Sequence, residues 1–321
     1  NAQLFAEMEQ DDVLQQIKLI AEPWDIGHYG YQVGYFPAYF SQWNDRFRDD
    51  MCRFWLWQSG EVGAFAERFA GSSDIFKREV RLPHGSLSFI TAHDGFTLRD
   101  LVSYNHKHNE ANGEENRDGR NENYSYNHGI EGSQLDLADE WQSAVEKRRV
   151  LSEKGLLGSL LLSNSVPMLL AGDEFGNTQY GNNNAYCQDN EITWLKWENF
   201  NQTLFDFTKQ TIALRKKIQS LQQDAWWSDE NVAWLNTGGN PMTLDDWHNR
   251  ESKALQVMLD GKYLFLINAK TEPQSFYLPK GKWKKIAETE NSMIQQCDVS
   301  GIAFEVLEHM DDENYGVCYE K

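Results

Sequence analysis

The chain has 321 residues and a formal net charge of −19, from 49 acidic and 30 basic side chains. A charge of this sign argues against a nucleic-acid partner, because binding a phosphate backbone requires a basic surface. The sequence contains no run of 18 apolar residues that would span a membrane. Aromatic residues make up 13% of the chain. Their flat rings suit ligands with apolar faces and hydroxyl edges, such as sugars, although protein cores use them as well.

The cysteines and histidines predict neither disulfides nor a metal site. The four cysteines are far apart and form no C-x-x-C pair, and the N-terminus shows no secretory signal pattern. We therefore expect free thiols and a cytoplasmic protein. His106, His108 and His128 do not match a zinc-binding spacing, so we expect no metal and no cofactor.

In chain order, the sequence first predicts a helix over residues 1–16 and then a buried strand over 17–21. Glu22 follows this strand directly, and Pro23 prevents the strand from continuing. In an α/β barrel the C-terminal rim of the strands carries the catalytic groups, so Glu22 is a candidate acid. We expect Trp24 to desolvate Glu22 and raise its pKa. The alternative is a surface glutamate that caps the following loop.

A later strand, predicted over 86–92, also ends on polar side chains, namely His93 and Asp94. These two side chains could hold adjacent sugar hydroxyls, with the ring donating a hydrogen bond and the carboxylate accepting one. The alternative is an aspartate that caps the next turn beside a packed histidine.

The remaining elements before residue 225 complete a strand, loop and helix pattern. Further strands are predicted over 39–43 and 165–171, and a long polar loop over 103–132 is either functional or disordered. Gly155 and Gly158 are expected to kink or break the longest helix. The helices are predicted over 46–57, 62–70, 137–162 and 204–221.

From residue 225 the pattern changes to short apolar runs separated by turns. Asp260-Gly261 between two such runs is a strong hairpin signal. The strands are predicted over 254–259, 263–267, 275–278, 303–307 and 316–319. The fold class is therefore α/β: half of a (β/α)8 TIM-type barrel over 1–224, followed by a small antiparallel β-sandwich domain over 225–321.

Half a barrel would have two open edges. The strands over 17–21 and 166–171 would each lack one neighbour, which leaves backbone donors and acceptors unpaired. We therefore predict that the half-barrel pairs with the other barrel half or self-associates through these edges.

Several long motifs, taken together, resemble the isoamylase-type glycogen debranching enzymes of the α-amylase superfamily, and the GlgX-like proteins most closely. The resemblance is close over 17–221 and looser in the β domain. The motifs are LIAEPWD (19–25), GYQVG (30–34), FITAHDGFTL (89–98), DLVSYN (100–105), NEANGE (109–114), LLAGDEFG (169–176) and NNNAYCQD (182–189).

The resemblance implies an activity and roles for individual residues. It implies hydrolysis of α-1,6 branch linkages in glycogen or limit dextrin with retention of configuration. Glu22 matches the family's general acid/base, and Asp94 matches the third essential carboxylate, which binds hydroxyls and stabilises the transition state. His93 matches its partner histidine, and Trp24 and Tyr31 lie where sugar contacts are expected.

One family motif does not occur in this sequence. The nucleophilic aspartate of the family lies in a strand of the Gly-Phe-Arg-Phe-Asp type, and no such stretch occurs here. The resemblance therefore implies the C-terminal portion of a debranching enzyme, with the second half of the barrel, and we predict that the chain alone does not turn over. The alternatives are a non-catalytic glucan-binding or assembly fragment and a portion of a glucanotransferase such as a branching enzyme.

Overall fold

The computed structural model describes residues 3–57, 61–78, 81–198, 200–286, 296–299 and 301–310. Within these ranges no helix combines the length and the apolar character needed to cross a bilayer. The helices are α1 (Gln3–Gln10), α2 (Asp45–Leu56), α3 (Val62–Phe69), α4 (Ser73–Phe76), α5 (Leu98–Leu101), α6 (Glu140–Leu161), α7 (Gln202–Arg215) and α8 (Leu244–His248). The strands are β1 (Leu19–Ala21), β2 (Phe40–Asn44), β3 (Ser86–Ser88), β4 (Val166–Pro167), β5 (Val232–Leu235), β6 (Ala254–Leu259), β7 (Tyr263–Asn268), β8 (Gln274–Tyr277), β9 (Trp283–Lys285), β10 (Gln296–Val299) and β11 (Ala303–His309).

The first four strands form one parallel sheet in the order β1-β2-β3-β4. Parallel strands in sequential order, joined through helices, are the arrangement of consecutive units in a (β/α)8 barrel. The predicted strands over 86–92 and 165–171 are too long, since hydrogen-bonded pairing covers only β3 and β4. Phe89, Ile90 and Ala92, which follow β3, are buried, but burial does not require that they pair with a neighbouring strand.

Asn44 ends β2 and begins α2. Its side-chain oxygen accepts a hydrogen bond from the Phe47 N–H at 3.1 Å, which caps the helix. Its amide nitrogen donates to the hydroxyls of Ser72 and Ser86 at 2.9 and 3.0 Å. Asn44 is completely buried, and α2 begins at the next residue, at the C-terminal edge of the sheet.

Helix α6 is continuous, so the predicted break at Gly155 and Gly158 is wrong. A Cβ atom at Gly155 would lie 2.5 Å from the ring of Trp55, and one at Gly158 would lie 2.9 Å from the ring of Phe304. The Trp55 indole also donates a hydrogen bond to Ser159 on α6 at 2.9 Å. The two glycines therefore allow α2 and β11 to approach this helix closely.

The C-terminal part contains two antiparallel sheets, with strand orders β5-β6-β7-β11-β9 and β10-β8. The hairpin predicted at Asp260-Gly261 is present between β6 and β7, and both residues have positive φ, as a type I′ turn requires. The predicted strand over 316–319 lies outside the described residues. Strands β5, β9 and β10 were not predicted from the sequence.

Both faces of the larger sheet are covered. One face packs in the same apolar core as the helices of the first part, through Leu255, Val257, Phe265, Ile267 and Phe304. The other face packs against the two-stranded sheet, through Leu264, Leu266, Phe276, Val299 and Leu307. Strand β7 is buried along its whole length as a result. The division at residues 224 and 225 remains a prediction, and the core runs across it.

Candidate active site

Three predicted site residues converge at the C-terminal edge of the parallel sheet. Glu22 comes directly after β1, whereas His93 and Asp94 lie in the loop after β3. Each contributes one nitrogen or oxygen atom to a group whose members all lie within 4.8 Å of one another. Glu22 and His93 are exposed and Asp94 is half-buried. We refer to Glu22, His93 and Asp94 as the acidic trio.

Trp43, near the end of the intervening strand β2, lies beside the acidic trio. Its ring centroid is 5.8 Å from that of His93, 5.4 Å from Phe89 and 6.4 Å from Trp24. Sequence reasoning missed this residue. A signal for it was available in the sequence. The sequential strand order of a barrel places β2 between β1 and β3, the two strands that are followed by Glu22 and Asp94, and Trp43 is an aromatic residue near the end of β2.

Trp24 lies at the site, but it does not bury Glu22. Its ring packs against the small apolar cluster of Val33, Ile75 and Phe76 and against Trp43. Glu22 is exposed, so the expected desolvation of this carboxyl by Trp24 is wrong.

Tyr31 is held at the same edge of the sheet by the start of α2. Its hydroxyl donates a hydrogen bond to Asp45 Oδ1 at 2.8 Å, and Asp45 is the residue after the end of β2. Burial of the phenol raises the pKa of Tyr31 to about 12, so the hydroxyl stays protonated at neutral pH. The side chain is still 44% exposed, which leaves part of the ring open to a ligand.

The long polar loop is ordered by the asparagine-rich segment that follows β4. Asn109 donates to Asn183 Oδ1 at 2.9 Å and accepts from the Asn183 N–H at 3.0 Å. Asn182 donates to Asn112 Oδ1 at 2.9 Å. Asn182 and Asn183 are 1% exposed, so their amides join the two loops and are not available to a ligand.

Two histidines of the long loop, His108 and His128, have structural partners. His108 pairs with Glu131 at 3.3 Å, and buried His128 contacts the Ser152 hydroxyl at 3.2 Å. Burial lowers the pKa of His128 to about 3, so its ring is neutral. Across the described part of the chain, the acidic trio is the one group of three potential metal ligands. Two carboxylates and an imidazole at this spacing suit either sugar hydroxyls or a divalent cation.

Comparison with known sequences gives one family. Residues 227–303 match the family described as the glycogen debranching enzyme C-terminal domain. The chain is 69% identical over 309 residues to the glycogen operon protein GlgX homolog of Haemophilus influenzae, covering 96% of this chain and 47% of that protein. It is 55% identical over 285 residues to the glycogen debranching enzyme of Pectobacterium carotovorum, covering 88% of this chain and 42% of that protein. The chain thus spans a little under half the length of these relatives.

Comparison with solved structures shows the same fold at low sequence identity. A pullulanase from Bacillus acidopullulyticus matches with a TM-score of 0.69 and 17% identity, covering 96% of this chain and 36% of that one. The type I pullulanase of Bacillus subtilis, complexed with maltose, matches with a TM-score of 0.66 and 18% identity, covering 96% of this chain and 42% of that one.

The parallel sheet with acids at its C-terminal edge and the appended β-sheet part give the chain the same fold as the matching part of these pullulanases. Along almost its whole length the chain is similar to part of the GlgX homolog and of the glycogen debranching enzymes, and its residues 227–303 match the C-terminal domain described for the latter.

Proposed function

We propose that the acidic trio is the acid/base and hydroxyl-binding part of an active site that hydrolyses α-1,6 branch linkages of glycogen or limit dextrin with retention of configuration. The observation that carries this proposal is the convergence of Glu22, His93 and Asp94 within 4.8 Å at the edge where barrel enzymes act. Sequence similarity to proteins named glycogen debranching enzyme supports the substrate class.

Each member of the trio has a role that its chemistry fits. Glu22 is exposed, so its carboxyl can reach the glycosidic oxygen and protonate it as the bond breaks. Asp94 accepts a hydrogen bond from one sugar hydroxyl and, as an anion, favours the positive charge that develops on the ring. His93 donates a hydrogen bond to the neighbouring hydroxyl. Trp43 and Trp24 offer apolar faces to the sugar.

Retention requires a second carboxylate about 5 Å from the acid to attack the sugar. Asp94 is close enough to Glu22 to satisfy that distance, so it is the rival candidate for nucleophile within the trio. We assign Asp94 to the hydroxyls because it adjoins His93 and because this is its place in the resemblance. The nucleophile then comes from outside the trio, and the chain alone does not turn over.

The parallel sheet supports a partner that completes the barrel. Among the described strands, β1 and β4 each have one hydrogen-bonded neighbour. A cavity of about 460 Å³ is lined by residues of all four strands, including Leu19, Phe40, Leu87 and Val166. We propose that the other barrel half closes this cavity and adds the attacking carboxylate.

The test is a reducing-sugar assay on pullulan and branched dextrin. The chain alone should release no reducing ends, and adding a polypeptide that contains the other barrel half should give activity that Glu22→Gln abolishes. Turnover by the chain alone at an ordinary rate, lost in Asp94→Asn, would instead make Asp94 the nucleophile. A chelator should change neither binding nor turnover if the trio binds hydroxyls and no metal.

Two other assays separate the alternatives. Binding of maltooligosaccharides without activity after complementation would favour a glucan-binding fragment, and new branch points in the products would favour a glucanotransferase. We also propose a cytoplasmic location, because Cys52 and Cys187 are free thiols.

A further inference from the structure

We infer that Asp173 is a positioning residue that fixes the loop carrying His93 and Asp94 over the site. Its effect on ligand binding rests on the function proposed for that pair, whereas its effect on loop geometry does not.

Asp173 follows β4, and its carboxylate binds the loop after β3 at two points. One oxygen accepts a hydrogen bond from the Thr91 hydroxyl, and the other accepts from the Leu98 N–H at 2.9 Å. His93 and Asp94 lie between these two anchors in the chain. A single carboxylate therefore holds both ends of the segment that carries two of the three trio members.

The same two loops are joined a second time, in the opposite direction. Asp100, on α5, accepts hydrogen bonds from the Thr178 hydroxyl and, at 2.8 Å, from the Gln179 N–H. Asp100 is completely buried and Asp173 is 2% exposed. Asp173 and Asp100 thus each accept two hydrogen bonds from the opposite segment, and these four bonds join the two loops.

Stability alone does not account for a carboxylate at position 173. Burial raises its pKa to about 7, which shows that the charged form is costly there. Apolar residues of similar volume often replace buried charges without loss of stability. What an apolar side chain cannot do is accept two hydrogen bonds in fixed directions, and this is what orients the segment.

The contact between His93 and Trp43 provides a readout that needs no ligand. The two rings are 5.8 Å apart and inclined at 62°, so the indole shifts the NMR signals of the His93 ring. His93→Ala identifies those signals among the eight histidines. In Asp173→Ala we expect them to move towards the values of an unstructured histidine.

Three further variants make the test specific. Asp173→Asn keeps an oxygen for the Leu98 N–H and should restore much of the wild-type signal. Thr91→Val removes one anchor with little change in volume and should give an intermediate shift. Glu174→Gln is the matched control, because Glu174 accepts a hydrogen bond from Gly172 within its own loop, at 2.8 Å, and should change nothing.

Calorimetry with maltoheptaose measures the consequence for binding. Asp173→Ala should weaken affinity by about 10-fold or more, as is typical when a residue that orients a ligand-binding group is removed. A folded Asp173→Ala protein with unchanged His93 signals would overturn the inference. If that variant does not fold, Thr91→Val decides: unchanged signals and affinity would overturn the inference equally. Absence of binding after the other barrel half is added would refute the proposed function, while the NMR comparison still tests the positioning.

Discussion

At the scale of single residues, the most consequential groups away from the acidic trio are buried acids. Glu153 is completely buried on α6, and its nearest cation is Arg99, with Nη1 3.7 Å from Glu153 Oε2. Burial outweighs this attraction and raises the pKa of Glu153 to about 7, from 4.5 in an exposed glutamate. The folded state therefore binds this proton more tightly than the unfolded state does.

The sign of the resulting pH dependence follows from linkage. Between about pH 4.5 and 7 the unfolded chain loses this proton while the folded chain keeps it, so the free energy of unfolding falls as pH rises through that window. Above about pH 7 the contribution stays constant. We predict that Glu153→Gln flattens the curve of urea midpoint against pH. Part of the slope should remain, because Asp173 titrates in the same direction. A Glu153→Gln curve parallel to wild type would contradict this.

Trp43 is expected to contribute to the binding of maltooligosaccharides. Trp43→Ala should weaken maltoheptaose binding about 10-fold, because the ring lies against His93, and aromatic contacts contribute roughly 0.5–1.5 kcal/mol beyond their buried area. Trp43→Phe should lose less. Trp141→Ala is the control, since Trp141 is 55% exposed at the start of α6, where its ring contacts the Arg148 guanidinium. Equal affinities for Trp43→Ala and Trp141→Ala would remove Trp43 from the site.

The proximity of Glu22, His93 and Asp94 could be predicted from the sequence, because polar groups that follow parallel strands gather at a common edge of the sheet, and the structure brings them within 4.8 Å of one another. Sequence reasoning failed on the surroundings of Glu22. Trp24 is two residues away in sequence, but its ring packs on Val33 and on residues around 75, which are distant in the chain. The surface on which the Trp24 ring packs depends on residues that are distant in sequence, and the local sequence does not specify them.

At the scale of elements, the glycines of α6 show the same limit. A helical pattern with glycine predicts weakness, because glycine lowers helix propensity by about 1 kcal/mol relative to alanine. The structure shows that Gly155 and Gly158 are contact points for rings from α2 and β11. The hairpin between β6 and β7 was predictable because its turn residues are adjacent and chemically specific. The packing of α6 depends on residues about 100 or more positions away.

Gly155→Ala should therefore destabilise the protein despite the better helix propensity of alanine. The new methyl group would lie 2.5 Å from the Trp55 ring, and overpacking of this kind costs about 1–3 kcal/mol. Gly63→Ala on α3 is the matched control, because the nearest atom to its new methyl group is at 3.7 Å, an ordinary contact. Urea unfolding should show a lower free energy of unfolding for Gly155→Ala only. Equal stabilities of the two variants would show that α2 and α6 separate without cost.

At the scale of the whole molecule, the parallel sheet and the β-sheet part stabilise each other through one shared core. Phe54, Phe65 and Phe69 of the first part belong to the same apolar cluster as Phe265 of the second. The change of sequence pattern at residue 225 predicts a change of architecture, and the described strand pairs after it, from β5 to β11, are antiparallel. The sequence pattern does not show that the apolar faces of the two parts pack against each other. Alternation of apolar and polar residues along a strand shows only that one face of the strand is buried.

Among the described strands, β1 and β4 each have one hydrogen-bonded neighbour, and these open edges distinguish the parallel sheet from a closed barrel. Ile20, on β1, is 51% exposed. Ile17, two residues before the start of β1, is 55% exposed. Helix α1 docks instead through Phe5 on Phe36 and Phe40, at 5.5 and 5.9 Å between ring centroids. Unpaired backbone groups beside exposed apolar side chains favour pairing with another chain.

We therefore predict concentration-dependent self-association of the chain in light scattering, and its suppression when the other barrel half is added. Ile20→Lys should shift the wild-type chain towards monomer, because a lysine on an edge strand would have to be buried in the paired state. Leu4→Lys is the control, since Leu4 is 62% exposed on α1 and off the edge. A monodisperse wild-type monomer would show that the edge is tolerated. If Leu4→Lys acted as strongly as Ile20→Lys, association would run through α1. A shift towards monomer in Ile20→Lys but not in Leu4→Lys would support the view that Ile17 and Ile20 are exposed because the other barrel half normally covers them.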